Sequence, residues 1–346
     1  MQTFSINGRT IGPGAPCFII AEAGSNHNRD LATAKQLVDT ALAAGADAVK
    51  FQTFTADKIA ARTQHSITKI DLAGAKSLHE LYANAELPRE WQRELSEYCA
   101  AKGILFLSTP FDEDAVDELE ALAMPVIKIA SFELVHLPLL RHAARTGRPI
   151  ILSTGLANLG EIEEAVQAIR GEGNEQIALL HCAINYPAKF TSVNLAAMDT
   201  IRQAFQVPVG YSDHTPGVTV PIAAVARGAT IIEKHFTTDK SLPGPDHSFA
   251  LDPQELAAMV RGIRETEAAI GSPIKQPEQD ELIHVKRGRR SVFARVDIPA
   301  GATITADMLA VLRPGVGLMS KYLDVIVGRP ARRAIKAHAP ITWDEV

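Results

Sequence analysis

The sequence predicts a (β/α)8 barrel, the TIM-barrel fold of the α/β class, followed by a small β-rich domain. Short apolar runs typical of buried parallel strands alternate with helical patterns through residues 1–271. Eight such strand–helix units fit a closed barrel. An open doubly wound sheet is the alternative, but no GxGxxG motif follows the first predicted strand.

The strand–helix alternation begins at residues 17–22, an apolar run that ends on a carboxylate. Asp30 is the predicted N-cap of the first helix, and Gly45 is its predicted end. Asn158 begins a helix with the pattern of a capping box, and Asp252, which precedes a proline, begins the last helix. The other predicted strands cover residues 46–52, 104–107, 126–131, 149–155, 177–181, 207–211 and 229–233, and the other helices cover 89–102, 113–123, 137–144, 194–204 and 216–227.

Three segments depart from this regular pattern. Residues 53–88 have mixed charge and weak periodicity, which predicts a long functional loop with one short helix near residues 77–83. Residues 272–287 contain two prolines and several charges, which predicts a linker. Residues 288–346 carry short apolar runs, among them 325–328, and are predicted to form the small β-rich domain.

The bulk composition argues against several classes of function. A net charge of -5 disfavours general binding of nucleic acid, which needs a basic surface. The cysteines, Cys17, Cys99 and Cys182, lack the paired spacing of a zinc ribbon or a disulfide framework. Neither a signal peptide nor a membrane-spanning run is visible in the sequence, so we expect a cytoplasmic protein with no membrane partner.

Polar side chains follow nearly every predicted strand. In a TIM barrel the chemistry lies at the carboxyl ends of the strands, so these side chains are predicted to surround one site. They are Glu22, Lys50, Gln52, Thr109, Lys128, Ser131, Ser153, the loop 181–186, Ser212, His214, Glu233 and His235.

His214 and His235 each stand at the end of a predicted strand, with a predicted crossover helix between them. Parallel strands of a βαβ unit bring both imidazoles to the same edge of the sheet. With Asp213 and Glu233 nearby, they indicate a divalent-metal site. The alternative is that each histidine only forms hydrogen bonds within a packed loop.

Lys50 and Lys128 each end an otherwise apolar strand, where a lone ammonium group would be costly to bury. A phosphate or carboxylate group of a substrate would offset that cost. The alternative is that each lysine pairs with a nearby acid such as Asp47 or Glu133. Glu22 is a candidate general base or water-orienting group, and a salt bridge to Lys50 is compatible with that role.

Eight motifs give the chain a resemblance to a known family. They are IIAEAGSNHN (19–28), DAVKFQTF (47–54), FLSTPFD (106–112), KIASFE (128–133), ILSTG (151–155), GYSDHT (210–215), EKHFT (233–237) and GPDHSFALDP (244–253). In this order they resemble the sialic acid synthase family, the phosphoenolpyruvate-dependent nonulosonic acid synthases. The motifs DIPAGATIT (297–305) and LRPGVG (312–317) are similar to that family's SAF domain, named for its similarity to antifreeze protein.

The resemblance implies a metal-dependent condensation of phosphoenolpyruvate with the open-chain aldehyde of N-acetylmannosamine, which gives N-acetylneuraminate and phosphate. It implies that His214 and His235 hold the metal, with Mn²⁺ expected before Mg²⁺ or Co²⁺. It also makes Glu22, Lys50 and Lys128 catalytic. The residues implied to hold phosphoenolpyruvate are Lys50, Thr109, Lys128, Ser131, Ser153 and Ser212, and those implied to contact the sugar are Gln52, Tyr186, Asp246 and Arg313.

Arg313 is implied to reach the active site of the partner subunit in a domain-swapped homodimer, where its guanidinium could bind the N-acetyl carbonyl of the sugar. Without the family, a surface arginine beside a turn is the alternative. The chain departs from the family's usual pattern at three places. Ile184 stands where a polar residue is frequent, so that Asn185 is a candidate substitute; Arg29 replaces a glycine, and Val316 replaces a frequent Asn.

Other functions stay open at this point. A diacetamido-trideoxy hexose as acceptor would give legionaminic or pseudaminic acid, and the segment GPDH (244–247) suits N-acetylneuraminate and legionaminate more than pseudaminate. A sugar phosphate such as arabinose 5-phosphate would need further basic residues, and Asp246 argues against it. A non-catalytic structural or ice-binding protein has no use for paired lysines beside paired histidines.

Overall fold

The computed structural model describes residues 2–62 and 75–346 of the chain. The chain divides into two compact units, Met1–Gly271 and Ser272–Val346. In the described part of the chain, no helix has both the length and the apolar character needed to cross a membrane.

The first unit begins with a β-hairpin that the sequence analysis missed. Strand β1 (Phe4–Ile6) pairs with β2 (Arg9–Ile11) in antiparallel register. Asn7 and Gly8 form the two-residue turn, and both have positive φ, as the favoured hairpin turns require. The Asn-Gly pair is therefore the signal that could have revealed this hairpin.

A closed barrel of eight parallel strands follows the hairpin, which confirms the predicted fold class. The strands are β3 (Phe18–Glu22), β4 (Ala48–Thr53), β5 (Leu105–Pro110), β6 (Ile127–Ile129), β7 (Ile150–Ser153), β8 (Ile177–Cys182), β9 (Val209–Asp213) and β10 (Ile231–His235). They are hydrogen-bonded in the order β5-β4-β3-β10-β9-β8-β7-β6, and β5 also lies beside β6, so the sheet closes. Every residue of β3, β9 and β10 is buried, because helices cover the outside of the barrel.

Helices alternate with these strands. Asp30 accepts a hydrogen bond from the Thr33 backbone amide as the N-cap of the first helix, and Gly45 ends that helix at φ +81°. The capping boxes at Asn158 and Asp252 are also present. The helices of this unit are α1 (Leu31–Ala44), α2 (Ala56–Ile59), α3 (Leu78–Ala85), α4 (Trp91–Lys102), α5 (Glu113–Ala121), α6 (Leu137–Arg145), α7 (Leu159–Arg170), α8 (Ala197–Phe205), α9 (Thr219–Ala226) and α10 (Pro253–Ile270).

The described part of the predicted loop 53–88 contains two helices where one was expected. Helix α3 matches the predicted helix, with Ser77 as its N-cap. Helix α2 was missed because four residues are too few to show a helical period. Residues 63–74 of this loop lie outside the described residues.

The second unit has its own apolar core and short elements. Strand β11 (Ser291–Ala294) pairs antiparallel with β12 (Leu309–Leu312). Two helices here were not expected from the sequence. Helix α11 (Leu282–Gly288) forms largely within the predicted linker, and the apolar run 325–328 overlaps helix α12 (Leu323–Ile326). The core residues include Val292, Ile298, Ile304, Ile326, Ile335 and Ile341.

Candidate active site

A pocket opens at the carboxyl ends of the barrel strands, as parallel strands in a closed barrel require. All the predicted site residues line it except Asp246 and Arg313. The lining residues are Glu22, Lys50, Gln52, Thr109, Phe111, Lys128, Ala130, Ser131, Phe132, Ser153, Cys182, Tyr186, Ser212, His214, Glu233 and His235.

The alternation of side chains along β9 and β10 decides which residues face this pocket. Successive residues of a strand point to opposite sides of the sheet. Ser212 and Glu233 are partners in register and face the pocket, where Ser212 Oγ donates to Glu233 Oε1 over 3.0 Å. Asp213, which was expected beside the metal, does not line the pocket and pairs with Lys234 instead.

Lys50 is buried in the pocket wall among oxygen atoms. Its Nζ donates to Thr109 Oγ1 over 2.7 Å and lies 2.7 Å from Glu22 Oε2. The same Nζ lies 3.8 Å from Glu233 Oε2. Asp47, the partner considered from the sequence, pairs with two arginines instead, so it does not neutralise Lys50.

Lys128 is equally buried on a neighbouring part of the wall. Its Nζ donates to Ser153 Oγ over 2.7 Å and to the Ile129 carbonyl over 2.9 Å, and it lies 3.7 Å from Glu233 Oε1. Glu133, the partner considered from the sequence, has a buried Oε2 with no hydrogen-bond partner in the described part of the chain. The two lysines therefore share one carboxylate, that of Glu233.

Burial and charge push the pKa values of the two pocket carboxyl groups apart. Burial raises the pKa of Glu22 above its usual range, although Lys50 acts in the opposite direction. Burial also acts to raise the pKa of Glu233, but the ammonium groups of Lys128 and Lys50 outweigh it and hold that pKa well below its usual range. Such divergence is typical of sites where one carboxyl group moves a proton and the other stays ionised.

The two histidines lie side by side in the pocket, with ring centroids 5.4 Å apart. His214 Nδ1 donates to the Ala183 carbonyl over 2.8 Å, which leaves its Nε2 lone pair free. His235 Nδ1 is buried and has no hydrogen-bond partner among the described residues. Burial lowers the pKa of His214 to about 4 and also lowers that of His235, so both rings are neutral at neutral pH.

Neutral imidazoles are the form that binds metal ions. The residues 2–62 and 75–346 contain no group of three or more His, Cys, Asp and Glu side chains that could hold a metal ion. Two imidazoles still fit a divalent cation whose other positions are filled by water and substrate. The alternative of loop hydrogen bonds explains Nδ1 of His214, but it leaves the unpartnered Nδ1 of His235 without a role.

Three of the predicted sugar-binding residues lie at the mouth of the pocket. Gln52 lines it directly. The Tyr186 ring lies against the His214 ring, with centroids 4.0 Å apart, and is half exposed. Asp246 Oδ2 lies 3.9 Å from His235 Nδ1. Asp246 is therefore near the site although it is not part of the wall.

Ile184, which departs from the family's pattern, and its candidate substitute Asn185 have defined surroundings. Ile184 packs so closely against Gly155 that its Cγ2 occupies the space of a Cβ atom there. Asn185 is exposed and does not line the pocket, so this arrangement gives no support to Asn185 as a substitute for the missing polar residue.

Arg29 and Arg313 are not among the residues that line the pocket. Arg29 has φ +55°, which explains why a glycine suits that position, and its guanidinium donates to the Ala83 carbonyl over 2.6 Å and lies 3.5 Å from Glu86. Arg313 belongs to the second unit, where it is exposed and its Nε donates to the Gly288 carbonyl over 2.7 Å.

Sequence reasoning missed several pocket residues. Phe111 and Phe132 line the wall but have no polar group to mark them as strand-exit residues. Ser25 Oγ donates to Asp246 Oδ2 over 3.0 Å and so holds that carboxylate. Each lies within or beside a quoted motif, and that position was the available signal.

Family profiles and individual relatives match this chain along most of its length. A NeuB family profile matches residues 37–275, and a SAF domain profile matches residues 289–346. The chain is 43% identical over 348 residues to N,N'-diacetyllegionaminic acid synthase from Legionella pneumophila, covering 99% of this chain and 98% of the relative. It is 42% identical over 365 residues to the spore coat polysaccharide biosynthesis protein SpsE of Bacillus subtilis, covering 100% and 98%.

A solved structure extends the comparison to three dimensions. It is the crystal structure of N-acetylneuraminic acid (sialic acid) synthetase from Leptospira borgpetersenii serovar Hardjo-bovis in complex with citrate, with a TM-score of 0.73 and 34% identity over 82% of this chain and 95% of that chain. The family profile covers more than half of the chain, and these relatives align along most of their length. The chain therefore belongs to the NeuB family, the sialic acid synthase family that its motifs indicate, and it carries a SAF domain.

Proposed function

We propose that this enzyme condenses phosphoenolpyruvate with the open-chain aldehyde of an N-acetylated amino sugar. Carbon C3 of phosphoenolpyruvate forms a bond to the aldehyde carbon, and the aldehyde oxygen takes a proton to become a hydroxyl group. Water adds at C2, and phosphate leaves with cleavage of the bond between C2 and the phosphate-bearing oxygen. The products are a nonulosonic acid and inorganic phosphate.

The observation that carries this proposal is the pair of buried ammonium groups in the pocket wall. Lys50 and Lys128 both lie near the ionised Glu233, whereas burial raises the pKa of Glu22 to about 7. Glu22 is therefore only partly ionised at neutral pH, and the two ammonium groups of the wall are not fully neutralised. A phosphate and a carboxylate on one small molecule match two ammonium groups with hydroxyls between them. The hydroxyls on the same wall are those of Thr109, Ser131, Ser153 and Ser212.

Glu22 would handle the water that adds at C2. Gln52 Nε2 donates to Glu22 Oε1 over 2.9 Å and fixes the direction of the carboxyl group. The raised pKa makes the Glu22 carboxylate a stronger base than an exposed glutamate, so it can take a proton from water near neutral pH. Glu233, held ionised by the lysines, would keep both ammonium groups in place.

We also infer that the enzyme uses a divalent metal ion, with Mn²⁺ as the first candidate. His214 and His235 would hold it through their neutral rings. Such an ion supplies Lewis acidity, which polarises a carbonyl oxygen. Asp246, 3.9 Å from His235, would accept hydrogen bonds from sugar hydroxyls beside it.

For the acceptor we propose a diacetamido-trideoxy hexose of the legionaminic type. Support comes from the 43% identity to a diacetyllegionaminic acid synthase, against 34% to a sialic acid synthetase. N-acetylmannosamine, the first expectation from the sequence, is the second candidate, because the segment GPDH (244–247) suits both products.

The sugar site would be completed by Arg313 from a second copy in a domain-swapped homodimer. Support comes from the exposure of Arg313 in a unit that has its own core. Arg313→Ala should raise KM for the sugar far more than KM for phosphoenolpyruvate. Co-expressing Arg313→Ala with His235→Ala subunits should restore activity, because one site of the mixed dimer has every residue. No restoration would contradict the swap.

The function is tested by measuring phosphate release with phosphoenolpyruvate and Mn²⁺ across three sugars: N-acetylmannosamine and the legionaminic and pseudaminic precursors. We expect the fastest release with the legionaminic precursor. A preference for N-acetylmannosamine would change only the product. No release with any of the three would overturn the proposed reaction.

A further inference from the structure

A buried ion pair lies directly behind the two histidines, on the outer side of the barrel wall. Nζ of Lys234 is 2.5 Å from Oδ2 of Asp213, and their side chains are 1% and 0% exposed. The two residues are partners in register, one step beyond the pocket-facing pair Ser212 and Glu233. Because side chains alternate along a strand, Asp213 and Lys234 point away from the pocket, and the next residues, His214 and His235, point into it.

The ammonium group of Lys234 also reaches past Asp213. It donates to the Thr215 carbonyl oxygen. Thr215 is tied back to the same carboxylate, since its amide donates to Asp213 Oδ1 over 2.9 Å and its hydroxyl donates to Asp213 Oδ2 over 3.1 Å. Lys234 thus contacts the residues on both sides of His214, and it is itself the neighbour of His235.

We propose that Lys234, Asp213 and Thr215, called here the rear clamp, are positioning residues that fix the two imidazoles at their observed separation of 5.4 Å. This inference rests on the proposed metal site. His235 belongs to β10, whereas His214 lies in the loop after β9. The Ala183 carbonyl orients the His214 ring, but no helix or strand fixes its backbone. A single ammonium group bound to both strand ends removes that freedom.

The chemistry of the rear clamp supports positioning rather than simple stabilisation. A well-packed apolar pair is often at least as stable as a buried ion pair, so an ion pair here adds little that packing could not supply. The rear clamp, however, joins specific atoms in one geometry. The Lys234 ammonium group and the amide and hydroxyl of Thr215 all donate to the Asp213 carboxylate. Hydrogen-bond partners of metal-binding histidines typically change metal affinity or activity about 10- to 100-fold when removed. We take the same range for the rear clamp, which holds the backbone on both sides of His214.

The test measures Mn²⁺ binding to the full chain in the absence of substrates. The electron paramagnetic resonance signal of free Mn²⁺ reports how much of the ion stays unbound. The double variant Asp213→Asn/Lys234→Met removes the clamp without leaving a buried charge. We expect it to bind Mn²⁺ about 10- to 100-fold more weakly than the unmodified protein. Thr215→Val keeps the volume and both charges, and should show a smaller loss.

Asp47→Asn is the matched control, because Asp47 is also a buried carboxylate in ion pairs, here with the partly exposed Arg9 and Arg264 at the amino ends of the strands. It should lower the melting temperature and leave Mn²⁺ affinity unchanged. The rear clamp is overturned if Mn²⁺ affinity is unchanged in the folded double variant, or if Asp47→Asn weakens it equally. If the double variant does not fold, unchanged affinity in Thr215→Val overturns the proposal. Failure of the unmodified chain to bind Mn²⁺ would instead overturn the metal site itself.

Discussion

Replacing Lys128 with methionine removes one of the two buried ammonium groups while keeping most of the side-chain volume. Lys128 Nζ loses its hydrogen bonds to Ser153 and Ile129 and its contact with Glu233 at 3.7 Å. Glu233 keeps the Ser212 hydroxyl at 3.0 Å and Lys50 at 3.8 Å. The carboxylate is therefore not left alone in the variant, and we expect the protein to fold.

The structure sets the size of two separate effects. Breaking a buried ion pair costs about 3–5 kcal/mol of folding stability, and the remaining partners of Glu233 place Lys128→Met at the lower end of that range. A hydrogen bond to a charged group contributes about 1.5–3 kcal/mol. If Lys128 holds an anionic group of phosphoenolpyruvate, its loss should weaken phosphoenolpyruvate binding roughly 10- to 140-fold.

Isothermal titration calorimetry with phosphoenolpyruvate alone measures this affinity, because no turnover occurs without the sugar. The control is Lys240→Met, which removes a partly exposed lysine paired with Glu255 and outside the pocket lining. Its affinity for phosphoenolpyruvate should match the unmodified protein. Unchanged affinity in a folded Lys128→Met variant would refute the assignment of this wall to an anionic substrate.

Three further predictions follow from the same site. His235→Ala or His214→Ala should abolish metal-dependent phosphate release without changing the melting temperature much, and full activity in either would contradict the metal assignment. As the pH drops through the raised pKa of Glu22, which lies above the ordinary 4.5, kcat/KM should fall. The Glu22→Gln variant should lack this acid limb of the pH profile. An acid limb retained in Glu22→Gln would show that another group titrates. Gly210→Ala should lower the free energy of unfolding, measured in denaturant, by about 1–3 kcal/mol or more. A Cβ atom there would lie 2.6 Å from Leu180 Cδ2 and closer still to a backbone carbonyl oxygen. Unchanged stability would contradict this packing.

Local sequence signals determined most of the fold. The two ends of the first helix could be predicted at Asp30 and Gly45, because capping depends on neighbouring residues alone. Each strand shows its own apolar run, and parallel strands in a barrel must end at one face, so the strand-exit residues could be assigned to one site. Where the signal was too short or the context overrode it, prediction failed, as at helices α2 and α11.

Only the tertiary structure decided which groups pair inside the site. Glu22 and Glu233 come from strands that are adjacent in the barrel but 211 residues apart in the chain, and their different pKa values depend on distances to the lysines that no local pattern contains. The pairing of Asp213 with Lys234 likewise depended on the register between β9 and β10. Charge pairing is a property of separations in space, whereas strand and helix signals are properties of neighbours in sequence. The sequence therefore determined which residues reach the site, and the packed barrel determined which atoms they meet there.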